Sequence, residues 1–286
     1  MKTLFTLLLL LTLTGCVQPR PADRFPANAE QTDTTSNVET AQTGGRLLSA
    51  FFGLDNGLPR QSSLGICRGA GNADGMPVIF EHEVDVNTLQ AGDFRVVTQS
   101  GKVGAITCVT LFPAVDIGEF GSATDDPPLT VEIVGNVLSS DQTVNFKSAK
   151  IAVTPLAPGP TLILAEVVPQ AQWQLGKAGG PRGSGSGCPQ GTVQIVRAVW
   201  AGGVTTASGM EPADHERTLY QVTVQQADGA TRTLAPFALG DLADGDNNHA
   251  LCLDTLDKAL SVAFPAGYLA DPNGDLNPAT TIQVQP

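Results

Sequence analysis

Oxygen-bearing side chains recur at every second position in two stretches of this sequence. Asp271, Asn273, Asp275 and Asn277 form one set, and Asp244, Asp246 and Asn248 the other. That spacing wraps carboxylate and amide oxygens around a hard cation in calcium loops, so calcium is the one candidate ligand for both. Neither set continues as a helix–loop–helix calcium site, because the glycine at the sixth position and the distal glutamate are missing. Asp, Asn, Gly and Pro also make turns, and turn formation is the competing reading. No other cofactor is expected.

The three histidines differ in setting. His82 falls on the apolar face of an alternating run and reads as a core or rim residue. His215 lies among Asp214, Glu216 and Arg217 and reads as a solvated loop. His249 closes the second acidic stretch and has the more suggestive surroundings. A hydrolytic triad needs a nucleophile, a base and an orienting acid in contact, and no G-x-S-x-G order marks a nucleophile. A glycosidase needs only two carboxylates, which 28 acidic residues supply without any signature. Aromatic residues are only 5% of the chain, however, which leaves few platforms for sugar. The expectation is a protein without catalytic residues.

Five cysteines divide into one and four. Cys16 follows Lys2 and an almost unbroken apolar run from Leu4 to Leu13. The run is too short for a permanent membrane helix but suits the apolar region of a secretory signal. Pro19 and Pro21 follow closely, with no basic stop-transfer cluster. Leu13-Thr14-Gly15-Cys16 resembles a bacterial lipobox. The resemblance implies that residues 1–15 are removed, that Cys16 is acylated, and that acyl chains hold the protein to a membrane. Val17 in place of Asp after the cysteine, as in lipoproteins of Gram-negative bacteria, implies the outer membrane rather than the inner. The remaining Cys67, Cys108, Cys188 and Cys252 form an even number in an exported chain, which points to two disulfides. No C-x-x-C spacing favours a metal site instead.

Removing the signal takes Lys2 with it and leaves 15 basic residues against 28 acidic, a formal charge of −13. That balance argues against nucleic acid and against direct contact with an anionic membrane surface. Gly (31) and Pro (20) are abundant, and long periodic helical segments are absent after the signal. Such a composition predicts many short strands joined by turns. Residues 16–46 are polar and proline-punctuated, unable to offset their ordering entropy by burial, and read as a flexible, disordered tether.

Pro77–Lys102 reads PVIFEHEVDVNTLQAGDFRVVTQSGK. Val78, Phe80, His82, Val84 and Val86 fall on one face and Ile79, Glu81, Glu83 and Asp85 on the other, which predicts one strand. Leu89 points inward, Phe94, Val96 and Thr98 begin the next strand, and Ser100-Gly101-Lys102 turns a hairpin. Phe80, Val84, Asp85, Thr88, Leu89, Phe94, Val96, Gly101 and Lys102 resemble the bacterial Ig-like domain of S-layer and other cell-surface proteins. Further strand-like runs lie at 105–112, 129–134, 144–146 and 150–154, while Leu47–Leu58 suits a short helix or a first strand. Pro155, Pro158 and Pro160 mark a boundary, placing a first domain at 47–157 and a second at 158–286. In the second, Trp200 followed by Tyr220-Gln221-Val222 is weakly similar to fibronectin type III.

The predicted fold is all-β, with two Ig-like β-sandwiches after a disordered tether. One disulfide inside each domain gives Cys67–Cys108 and Cys188–Cys252, although four cysteines allow three pairings. The expected role is a structural or adhesive one, in contact with an envelope or surface protein partner. An envelope hydrolase acting on polysaccharide and a calcium-dependent ligand-binding module are the alternatives.

Overall fold

The computed structural model describes residues 42–54, 74–109, 126–176, 187–202, 204–240 and 247–286. The N-terminal half contains β1 (Gln42–Thr43), β2 (Leu47–Phe52), β3 (Val78–Phe80), β4 (Phe94–Thr98), β5 (Pro128–Ile133), β6 (Val144–Asn145), β7 (Lys150–Ala152) and β8 (Thr154–Pro155). Strands β3-β2-β8 form one sheet, β4-β5-β7 another, and β1 pairs with β6. Leu47, Val96, Val131, Ile133, Phe146 and Val153 build the core of this half.

The Leu47 segment is a strand and not a helix. It has β3 antiparallel on one side and β8 parallel on the other, so tertiary pairing settles an apolar pattern that suits either state. The run after Pro77 is shorter than its alternation predicts. Strand β3 stops at Phe80, Glu81 and His82 bend, and Val84 keeps only an isolated bridge to Ser139. The cause is capture of Glu81 by Arg46, 35 residues earlier. Arg46 donates its backbone N–H (2.7 Å) and its Nε (2.6 Å) to the Glu81 carboxylate, and Glu81 N returns a bond to Arg46 O. Leu89 is buried, and Gly101 at φ +81° makes the turn after β4.

The C-terminal half contains β9 (Leu162–Val167), β10 (Gln194–Trp200), β11 (Thr205–Thr206), the one-turn helix α1 (Asp214–Arg217), β12 (Gln221–Gln225), β13 (Thr231–Leu234), β14 (Ala238–Gly240), β15 (Asn248–Leu253), β16 (Lys258–Phe264), β17 (Leu269–Ala270) and β18 (Thr280–Gln283). Two four-stranded sheets, β14-β15-β10-β9 and β13-β12-β16-β18, provide the inward faces of a core holding Val196, Ala198, Trp200, Val222, Val262 and Phe264. Antiparallel sheets of this strand order form an immunoglobulin-type sandwich.

Strand β10 is an inner strand of its sheet, between β15 and β9. Val196, Ala198 and Trp200 face the sandwich core, and its other face is buried as well. There Val199 and Leu164 pack against Ile79 of the N-terminal half, with Leu48 and Ile163 beside them. The only charged residue on β10, Arg197, therefore lies where the two halves meet.

Candidate functional site

Arg197 is opposite Glu166 of β9 and Ala250 of β15 in the sheet register. Its side chain is 9% exposed, so its charge must be matched locally. Nη2 donates to the Glu166 carboxylate on the same sheet and to the backbone carbonyl of Glu81 in the other half. The same nitrogen lies 3.1 Å from Nδ1 of His82. A guanidinium only donates, so Nδ1 must accept, and the tautomer of His82 is the one protonated at Nε2. The two hydrogens of Nη2 are shared among three acceptors. Arg197 Nε is buried and meets no acceptor among the described residues.

Arg197 and His82 of this junction border a cleft of about 80 Å³. His82, Glu83, Ser140 and Asp141 line it from the N-terminal half, and Gln172, Trp173 and Arg197 from the other. Burial pushes the His82 pKa below its ordinary value and the Arg197 charge pushes it further, while Glu166, Glu81 and Asp141 pull the other way. Burial pushes the Asp141 carboxyl up, but hydrogen bonds from Ser139 and Thr143 together hold it below its ordinary value. The cleft therefore presents a neutral imidazole and an ionised carboxylate at neutral pH. Trp173 is fixed by its indole N–H, which donates to Val168 O at 2.9 Å.

The second polar group lies inside the C-terminal sandwich. Trp200 Nε1 donates to Tyr220 Oη at 2.7 Å, and that hydroxyl lies 2.5 Å from His249 Nδ1. The hydroxyl accepts from the indole, so its own proton points to Nδ1. His249 is 1% exposed, and burial pushes its pKa down to about 4. It faces the hydrophobic core, where a neutral imidazole satisfies a buried phenol. His215 lies on α1, with its ring 6.1 Å from that of Tyr268.

Among the oxygen clusters, Asp271 and Asn277 are buried while Asn273 and Asp275 are exposed. Asp271 Oδ1 accepts from the backbone N–H of Asn273 (2.9 Å) and Asp275 (3.0 Å), and Oδ2 from that of Gly159 (3.1 Å). Asn277 Oδ1 accepts from Tyr268 N and Leu269 N, and its amide donates to Pro265 O and Pro278 O. The alternate spacing thus folds two oxygens onto the backbone and leaves two outside. Asn248 starts β15 and is buried; Asp244 and Asp246 lie outside the described residues. Among the described residues, no three His, Cys, Asp or Glu side chains converge as a metal site.

Cys188 and Cys252 form a disulfide with their Cα atoms 5.6 Å apart, pinning the segment that ends at the cleft to β15. Cys108 is disulfide-bonded too, while Cys67 and the lipobox cysteine Cys16 lie outside the described residues. No helix among the described residues is long and apolar enough to cross a membrane.

Sequence reasoning named His82 but missed Arg197, Glu166 and Glu81. One signal was present: a single arginine inside the otherwise apolar run Ile195–Trp200. A charge in such a strand is buried, and a buried charge needs partners. Comparison with protein-family models and with curated proteins found no match for this chain.

Proposed function

We propose that this chain is a cell-envelope protein anchored through acyl chains on Cys16, whose two all-β halves make structural or adhesive contacts with a surface protein partner and do no chemistry. The observation that carries the reading is the immunoglobulin-type sandwich of the C-terminal half. That architecture offers loop ends and sheet edges to partners. Edge strand β13 is available for the purpose: among the described strands it pairs with β12 alone, and Thr231, Arg232 and Thr233 are exposed. Of the polar groups with suggestive sequence settings, Asp271, Asn277 and His249 are bonded within the fold, which suits a scaffold. The outer membrane is the proposed location, from the residue that follows Cys16.

Two measurements test this. Cys16→Ser moves the protein from the membrane to the soluble fraction, and intact mass shows the acyl chains lost; retention in the membrane refutes the anchor. A photo-crosslinking residue at Thr233 in intact cells gives a discrete higher-mass adduct, whereas one placed at Lys147 does not. Equal adducts at both refute the edge-strand contact.

The cleft supports a second reading, an envelope hydrolase acting on polysaccharide, because it gathers Glu83 and Asp141 beside Trp173. That chemistry needs one carboxyl protonated as general acid. Asp141 is the wrong group for that role, since its carboxyl lies below its ordinary range. Release of reducing ends from envelope polysaccharide, abolished in Asp141→Asn and Glu83→Gln, would establish it.

A further inference from the structure

The contact between Arg197 and His82 works in one protonation state of the ring. While Nδ1 is unprotonated it accepts from a guanidinium of the other half; once protonated, it sets an N–H against an N–H and one positive charge against another. We propose that His82 is a proton-operated latch, and that its protonation releases Arg197 from the N-terminal half and opens the cleft between the halves.

The charged groups around His82 favour such a transfer. On the C-terminal side stand Arg197 of β10 and Glu166 of β9, which are paired with each other. On the N-terminal side, Glu81 is held by Arg46, and Asp141 and Glu83 line the cleft. Asp141 gathers its three hydrogen bonds, from Ser139 Oγ, Thr143 N and Thr143 Oγ1, on Oδ1. A charged imidazole therefore gains by turning to Asp141, a carboxylate of its own half, and the proton moves the ring's bond from the other half to its own. The Arg197 bond to the Glu81 carbonyl breaks with the opening, whereas the packing of Ile79 on Leu164 and Val199 is apolar and indifferent to pH. The motion is an opening about that contact and not a dissociation. The low pKa that burial and Arg197 impose keeps the latch shut at neutral pH.

The test is small-angle X-ray scattering of the full chain from pH 8 to pH 5, with imidazole chemical shifts of the three histidines followed in the same samples. The expected result is a rise in radius of gyration, with a red shift of Trp173 emission. Its midpoint coincides with the titration of His82. In His82→Asn, which keeps an acceptor near Nδ1 but takes no proton, the transition is absent. Asp141→Asn keeps the Oδ1 acceptor and removes the charge that favours the imidazolium, so its midpoint moves to lower pH. That variant decides the matter if His82→Asn does not fold. Unchanged dimensions while His82 titrates, the same transition in His82→Asn, or an unmoved midpoint in Asp141→Asn would each overturn the latch.

Discussion

His249 should make the C-terminal sandwich acid-labile by an amount that its burial sets. Its pKa falls from 6.5 to about 4 in the folded chain because desolvation disfavours the imidazolium. Above pH 6.5 the ring is neutral folded and unfolded, and contributes nothing to pH dependence. As pH falls from 6.5 towards 4, the unfolded chain takes up a proton that the native one refuses, so stability is lost. One pKa unit corresponds to about 1.4 kcal/mol, so the loss reaches about 3 kcal/mol at pH 4 and stops there. The perturbation is His249→Asn, whose Oδ1 can accept the Tyr220 hydroxyl but cannot titrate. The substitution removes ring packing and costs on the order of 2 kcal/mol at every pH. Only the difference in pH slope matters. Urea unfolding at pH 7, 5.5 and 4.5, followed by tryptophan emission, gives that difference, and the titration of His82 cancels because both proteins carry it. Parallel stability–pH curves for wild type and variant would refute the argument. They would mean that the ring is hydrated or charged in the native state.

Other substitutions separate turn chemistry from cation binding and test the staples. Asp271→Ala leaves three backbone N–H groups without acceptors and should cost about 3 kcal/mol by urea unfolding, with or without calcium. Asp275→Ala should be nearly silent. If the loop binds calcium, chelator lowers the melting temperature of wild type but not of this variant. Replacing Cys188 and Cys252 together by Ala opens a bridge across 64 residues and should cost about 4 kcal/mol on the chain-entropy account, read as a fall in the urea midpoint. Gly159→Ala places a Cβ against the Leu276 carbonyl at φ +75°, whereas Gly229→Ala meets nothing at φ +86°. The second should cost about 1 kcal/mol from the left-handed backbone alone, and the first clearly more, as two melting curves will show.

The strands of this chain were legible where one face is buried and the other wet. The alternation Phe94-Arg95-Val96-Val97-Thr98 gave β4 its correct place, and the Tyr220 stretch led into β12. The signal weakened where burial is two-sided. Strand β15 (Asn248–Leu253) follows an acidic run and has almost no exposed face, so no alternation marks it in the sequence. The alternation after Pro77 overshot for a different reason. Its period continues to Val86, but the Arg46–Glu81 capture bends the chain at Glu81, and no period encodes an ion pair across 35 residues.

The same distinction separates the parts of the sites. Turn-making oxygens act locally, so the spacing of Asp271 to Asn277 did reveal a built structure, although the oxygens it collects are bonded to backbone N–H groups. The cleft depends on Arg197 meeting His82 across 115 residues, and each residue alone has an ordinary explanation. Together they form a contact that neither half makes by itself. The local reading placed His82 on a strand face, where burial alone would fix its charge. The structure places it against a cation of the other half, where its charge decides whether that cation is welcome. Coupling between the halves thus follows from where β10 buries its second face. That face needs an acceptor for its arginine, and the bent segment after β3 presents both a carbonyl and a titratable ring to it.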